Sequence, residues 1–139
     1  MYLSGRCTGR SAVAPLFGHF FIPPIMPTAP SLSLRETVSL DLLVPLADNE
    51  GISFPEAQFV AFERHIVGLT GGVTRRGDVE GIWLSPTGEF QREKSRAYVT
   101  SVAATDAARI ALELDSLIRS SFRQLAAYIQ VTPTRATVF

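Results

Sequence analysis

The chain has 139 residues, 46% hydrophobic and 19% charged, a composition typical of one globular domain and not of a disordered segment. Its 13 basic residues balance 13 acidic residues, so no global field attracts nucleic acid or an anionic membrane. A single cysteine, Cys7, excludes an intrachain disulfide, and no apolar run reaches the roughly 18–20 residues of a membrane span. These features predict a cytoplasmic protein with no membrane span.

Residues 1–36 differ from the rest of the chain, because they are rich in proline and contain no acidic residue before Glu36. We interpret them as a loosely ordered N-terminal arm, or as an extension upstream of a start at Met26. Arg6 and Arg10 precede an apolar stretch, as in a secretion signal, which would make the protein secreted or periplasmic if residues 1–30 act in that way. Prolines interrupt that stretch, however. Residues 37–139 form the single predicted domain.

The first predicted strand starts at Thr37, where apolar and polar residues alternate with the period of two of a half-buried strand. Pro45 ends this strand. Ser53 and Glu56 have the spacing of a capping box and predict the start of a helix. The glycines at 71–72 predict the end of that helix, because glycine adopts the left-handed conformation at little cost.

Residues 73–84 and 90–103 hold the second and third predicted strands, joined by a hairpin turn at 85–88. A second amphipathic helix starts at residues 105–106, and alternation from Ala127 predicts the fourth strand. The order β-α-β-β-α-β favours an α+β fold of the ferredoxin-like type. In that fold an antiparallel four-stranded sheet carries two helices on one face.

Strand periodicity divides the sheet residues between two faces. Those assigned to the helix side are Val38, Leu40, Leu42, Ile82, Leu84, Ala97, Val99, Ile129 and Val131. Those assigned to the opposite, open side are Ser39, Asp41, Leu43, Val79, Trp83, Arg96, Tyr98, Thr100, Tyr128 and Gln130. An uncovered face with several aromatic residues usually contacts a partner. The open side therefore predicts a ligand-binding site formed by Asp41, Trp83, Arg96, Tyr98, Tyr128 and Gln130.

Three partners suit this open side. A second copy of the chain would form a homodimer, sheet on sheet, unless the N-terminal arm takes its place. A small molecule would bind between two such faces, either as a simple ligand or as the substrate of a dimeric α/β-barrel-type enzyme. Single-stranded RNA is a weaker alternative, because residues 96–100 lack the glycine–aromatic signature of RNA-binding sheets. We expect a self-associating or small-ligand-binding protein with no recognisable catalytic motif.

Metal and cofactor signatures are absent from the sequence of the predicted domain. His65 is its only histidine and no cysteine accompanies it, so no histidine-based zinc site and no cofactor are predicted. The acidic loop at 48–50 matches no calcium loop and is interpreted as a solvated turn. Arg92, Lys94 and Arg96 alternate along the third strand and either contact an anion or pair with nearby carboxylates.

Four short motifs follow one another along the domain: Gly71-Gly72-Val73-Thr74, Gly81-Ile82-Trp83, Arg92-Glu93-Lys94-Ser95 and Phe122-Arg123-Gln124. In order and spacing they resemble a small bacterial family known only as a domain of unknown function. The resemblance implies a ferredoxin-like fold and a bacterial origin, but no activity. Arg123 stands where that family has glycine. We expect Gly81 to allow a close backbone approach, Glu93 and Ser95 to face the helices, and Gln124 to bond to the last strand.

Overall fold

The computed structural model describes residues 34–137. The predicted N-terminal arm, residues 1–36, therefore lies outside the described residues except for its last three. Those three belong to the first strand, which begins at Leu34, ahead of the predicted start at Thr37.

The elements are β1 (Leu34–Pro45), α1 (Glu56–Thr70), β2 (Thr74–Leu84), β3 (Phe90–Ala103), a short 3-10 helix (Ala104–Asp106), α2 (Ala107–Phe122) and β4 (Tyr128–Thr137). The strands form one antiparallel sheet in the order β2-β3-β1-β4. Both helices pack on one face, called here the helix-covered face; the other is the open face. The predicted α+β, ferredoxin-like architecture is confirmed.

The core lies between the two helices and the central strands. Phe59, Phe62 and Ile66 recur at helical spacing on α1 and are buried. From α2, Phe122 places its ring 5.1 Å from Phe59 and 5.4 Å from Phe62. Full burial of each such side chain contributes about 1.5–3 kcal/mol, so these contacts hold the helices on the sheet.

Of the two predicted ends of α1, one is confirmed and the other is wrong. Gly71 adopts a left-handed conformation, with φ of 86°, and its N–H donates to the Val67 carbonyl, which confirms the predicted helix stop. The predicted capping box is wrong. Pro55 is the N-cap residue and no side chain caps the helix. Ser53 lies two residues farther upstream, in a β-bridge with Ala47, too early in the chain to cap α1.

The third strand has the opposite orientation to the one predicted. Tyr98 is only 1% exposed, and its hydroxyl donates to Glu63 Oε1 of α1 at 2.9 Å. Arg96 lies with its guanidinium carbon 4.4 Å from the centroid of the Phe59 ring, also on α1. Both side chains therefore belong to the helix-covered face.

The error places every assigned residue of β3 on the wrong face, because successive residues of a strand point to opposite faces. Arg96, Tyr98 and Thr100 were assigned to the open face and lie on the helix-covered face; Glu93, Ser95, Ala97 and Val99 were assigned to the helix side and lie on the open face. The physical reason is that residues 97–99 are all apolar and show no alternation. The face assignments for β1, β2 and β4 are confirmed by the strand register.

Candidate functional site

A cavity of about 410 Å³ opens at the end of the sheet, where β1 finishes and β4 begins. It lies on the open face, closed at the rim by the loop between α2 and β4. We call it the end cavity; its lining residues are Leu43, Pro45, Gly81, Ile82, Trp83, Glu93, Ser95, Gln124, Ala126 and Tyr128. Its volume falls within the roughly 300–1,000 Å³ typical of small-molecule sites.

The walls of the end cavity are largely apolar and aromatic. Leu43 and Tyr128 are paired directly across β1 and β4, and Trp83 stands at the far side on β2. Trp83 is 43% exposed and Tyr128 is 55% exposed. Between them, Gly81 leaves the floor without a side chain; a Cβ there would make an ordinary van der Waals contact with the Trp83 ring at 3.9 Å. The cavity thus offers flat surfaces on which a ring can stack.

Three polar residues of the end cavity, Ser95, Glu93 and Gln124, have no side-chain partner among residues 34–137. Ser95 is 6% exposed, yet its hydroxyl makes no hydrogen bond to the described residues. Glu93 likewise forms no ion pair or side-chain hydrogen bond within that range, and its burial raises the pKa of its carboxyl. Gln124 donates its amide to the Phe122 carbonyl at 2.9 Å, which leaves its side-chain oxygen as an acceptor.

Three of the sequence motifs meet in this cavity. Gly81 and Trp83 come from the second motif, Glu93 and Ser95 from the third, and Gln124 from the fourth. Sequence reasoning missed the polar members because the inverted parity of β3 placed them under the helices. Gln124, expected to bond to the last strand, bonds to Phe122 instead. The signal that could have identified the polar members was the set of short motifs, because those motifs contain all of them.

Only part of the predicted ligand site is assembled in this way. Trp83 and Tyr128 line the end cavity, whereas Asp41 and Gln130 form a pair farther along the open face. Asp41 there lies 3.3 Å from Arg76 Nη1. The remaining two, Arg96 and Tyr98, lie on the helix-covered face and cannot contact a ligand on the open face. The RNA alternative therefore loses Tyr98 as a stacking residue.

Arg96 and Tyr98 instead belong to a network between α1 and the sheet. Arg96 donates to Asp78 at 2.9 Å and to Glu56 at 2.8 Å, and these bonds lower the pKa of both carboxyls. Arg75 adds bonds to Glu56 and to the Glu63 carboxylate that accepts from Tyr98. Burial, followed by the bond to Glu63, raises the pKa of Tyr98. Each charged side chain of this network is paired within it.

The other sequence candidates have structural roles. His65 is exposed on α1. Asp48 accepts the backbone N–H groups of Glu50 and Ile52, both at 2.9 Å, which makes its loop a turn. Arg92 pairs with Glu80 at 3.5 Å. Within residues 34–137 no cluster of acidic, histidine or cysteine side chains has the form of a metal site, and neither helix there is long and apolar enough to cross a membrane.

Comparison with known proteins relates the fold but not the function. No protein family and no curated protein matches the chain. A phage SAM lyase in complex with S-methyl-5'-thioadenosine is similar with a TM-score of 0.55 at 14% identity, over 73% of this chain and 90% of that one. CutA from Synechococcus elongatus is similar with a TM-score of 0.53 at 15% identity, over 76% and 86%. The apo phage SAM lyase has a TM-score of 0.50 at 13% identity. Such likeness establishes the ferredoxin-like fold.

Proposed function

We propose that this domain binds a small organic molecule in the end cavity. The observation that carries the proposal is the pair of Glu93 and Ser95, two polar side chains turned into an apolar cavity with no partner among the described residues. Among residues 34–137 no fully buried side-chain polar atom lacks a hydrogen-bond partner, so these two groups are open to the solvent of the cavity and can bond to a ligand that enters it. Trp83 and Tyr128 supply the apolar contact area that such a site needs.

One neighbour of the same fold provides a first probe. S-methyl-5'-thioadenosine, the ligand of the phage SAM lyase structure, is a neutral nucleoside with a flat base and hydroxyl donors. A base can stack on Trp83, and the hydroxyl groups can donate to Glu93. The likeness of the folds alone does not assign this ligand to the chain, so neutral, cationic and anionic aromatic molecules belong in the same panel.

The single tryptophan of the chain makes the test specific to the site. Trp83 is the only tryptophan in 139 residues and lines the end cavity, so a ligand there changes the protein's tryptophan fluorescence. We expect a saturable change with at least one panel member and its loss in Gly81→Val, whose side chain fills the floor. Gly68→Val is the control, because Gly68 lies on α1 with no atom near its missing Cβ. A panel without any saturable response contradicts the proposal.

Self-association through the open face is a second candidate function. Val79, Trp83 and Tyr128 are 42–55% exposed there, and no described residue covers them. Asp41 and Arg76 on this face pair with each other, so two copies of the face meet without strong repulsion. A second copy turned sheet on sheet would bury these apolar side chains.

A further inference from the structure

We infer that the end cavity selects an aromatic molecule that carries a positive charge, such as a protonated amine, over its anionic counterpart. This inference rests on the proposed function and adds the chemical class of the ligand. It follows from the distribution of charge on β3, from the direction of the hydrogen bonds at the cavity rim, and from the aromatic walls.

The third strand separates its charges between the two faces of the sheet. Among residues 34–137, Glu93 is the one charged residue that lines the end cavity. Its neighbours Arg92 and Lys94 alternate with it and so project from the opposite face, as does Arg96. Arg92 is paired there with Glu80. The carboxylate of Glu93 therefore meets the cavity without a compensating cation from its own strand.

The hydrogen-bonding groups around the cavity include several acceptors. Gln124 uses an amide hydrogen on the Phe122 carbonyl, so its oxygen remains free to accept. Tyr128 donates its hydroxyl to Gln130 at 3.1 Å, away from a ligand. Ser95 can accept through its oxygen. Ser95 and Gln124 can also donate, but the Glu93 carboxylate can only accept, so it favours a ligand with N–H donors such as an ammonium group.

The walls suit the same ligand. A cation within about 6 Å of an aromatic ring is attracted by the negative face of that ring, and the attraction grows when water is excluded. Trp83, Tyr128 and Glu93 line the same cavity. An aromatic ligand with an attached cation can therefore contact an aromatic wall and the Glu93 carboxylate at the same time. An anionic ligand meets the same rings and, in addition, the repulsion of Glu93 without any lining cation to offset it.

Three ligands of one shape and three charges provide the test. 3-Phenylpropylamine, 3-phenylpropanol and 3-phenylpropanoate share a ring and a linker, and none masks the fluorescence of Trp83. With the full chain we expect the amine to bind at least tenfold more tightly than the carboxylate. Glu93→Gln should weaken amine binding about tenfold and alcohol binding less than about twofold, because the glutamine oxygen still accepts from a hydroxyl group. Retained alcohol binding also shows that the variant is folded. Glu89→Gln, in the hairpin turn outside the cavity, should change neither.

The outcomes separate the inference from the proposed function. If the carboxylate binds as tightly as the amine, or if Glu93→Gln leaves the preference for the amine intact, the charge selectivity is wrong while ligand binding stands. If none of the three compounds nor any other member of the aromatic panel changes the fluorescence of Trp83, the proposed function fails and the inference with it.

Discussion

At the scale of single residues, Glu93 is in a different position from the other carboxyls of the sheet. Asp78 and Glu56 are held by Arg96, which lowers their pKa values and makes their charges stabilising. Glu93 has no such partner within residues 34–137, and burial raises its pKa above 4.5. Its charged form is therefore less favourable in the folded chain than in the unfolded one. Residues that bind ligands commonly carry this kind of cost to stability.

Replacing Glu93 by glutamine should stabilise the protein in a way that depends on pH. A raised folded pKa means that the folded state binds more protons, so the contribution of Glu93 to stability falls as pH rises from about 4.5 through the folded value. We expect Glu93→Gln to show a small rise in Tm at pH 7 that disappears towards pH 4. Thermal unfolding at both pH values measures it, with Glu89→Gln as the exposed control. A lower Tm at pH 7 would show that Glu93 has a stabilising partner.

The sequence could not reveal the surroundings of such residues. Arg96 and Tyr98 look like open-face side chains, because a charged and a phenolic group suit solvent. Their polar ends are bonded to Glu56 and Glu63, which lie on α1, 40 and 35 positions away in the chain. Only the packing of the helix against β3 brings these partners together, and an apolar run at 97–99 gives no alternation from which to infer it.

At the scale of elements, both helices end in the left-handed conformation, but with different residues. Gly71 closes α1 at φ 86°, where glycine has no steric cost. Arg123 closes α2 at φ 51° and ψ 39°, although a residue with a Cβ is disfavoured there by roughly 1–2 kcal/mol. Arg123 is the one residue other than glycine with a positive φ among those the structure describes.

Arg123→Gly should therefore stabilise the fold. We expect a gain of about 0.5–1 kcal/mol, because relief of the left-handed strain exceeds the added freedom of the unfolded chain. Gly71→Ala is the matched change at the end of α1. It should destabilise the fold by about 1 kcal/mol, because it places a Cβ on a residue in the left-handed conformation. Urea denaturation with unchanged m-values measures both. A destabilised Arg123→Gly would indicate that the arginine side chain makes a contact worth more than the strain.

The elements themselves were largely predictable. The order of strands and helices could be predicted from local properties of the chain. These were the hydrophobic periods of two and of 3.6 residues, the glycines at 71–72 and the turn at 85–88. The capping box at Ser53 failed, because the β-bridge between Ser53 and Ala47 is a contact that local spacing does not encode.

At the scale of the whole molecule, the end cavity is a product of topology. The strand order β2-β3-β1-β4 places Trp83 of β2 and Tyr128 of β4 at the two edges of the sheet, with Glu93 and Leu43 between them. Trp83 and Tyr128 were predicted to share the open face, and they do. Gln124 closes the rim of the cavity beside these two residues. Its position depends on the direction in which the chain leaves α2, and no local sequence pattern specifies that direction.

The open face also makes the oligomeric state testable. Val79 lies on β2 opposite Ser95, is 42% exposed and does not line the end cavity. If two copies meet through this face, the full chain should exceed the monomer mass in light scattering at micromolar concentration. Val79→Lys should then return it to a monomer, because a lysine buried between two apolar sheets loses its hydration.

Leu112→Lys is the matched control for this experiment. Leu112 is 73% exposed on the outer side of α2, away from the open face, so the added charge should leave the mass unchanged. A wild-type chain that is monomeric at micromolar concentration would rule out pairing through the open face. If instead Leu112→Lys dissociates the assembly and Val79→Lys does not, the copies meet through α2. Ligand binding in the end cavity would then be independent of assembly, because Leu112 contributes nothing to its lining.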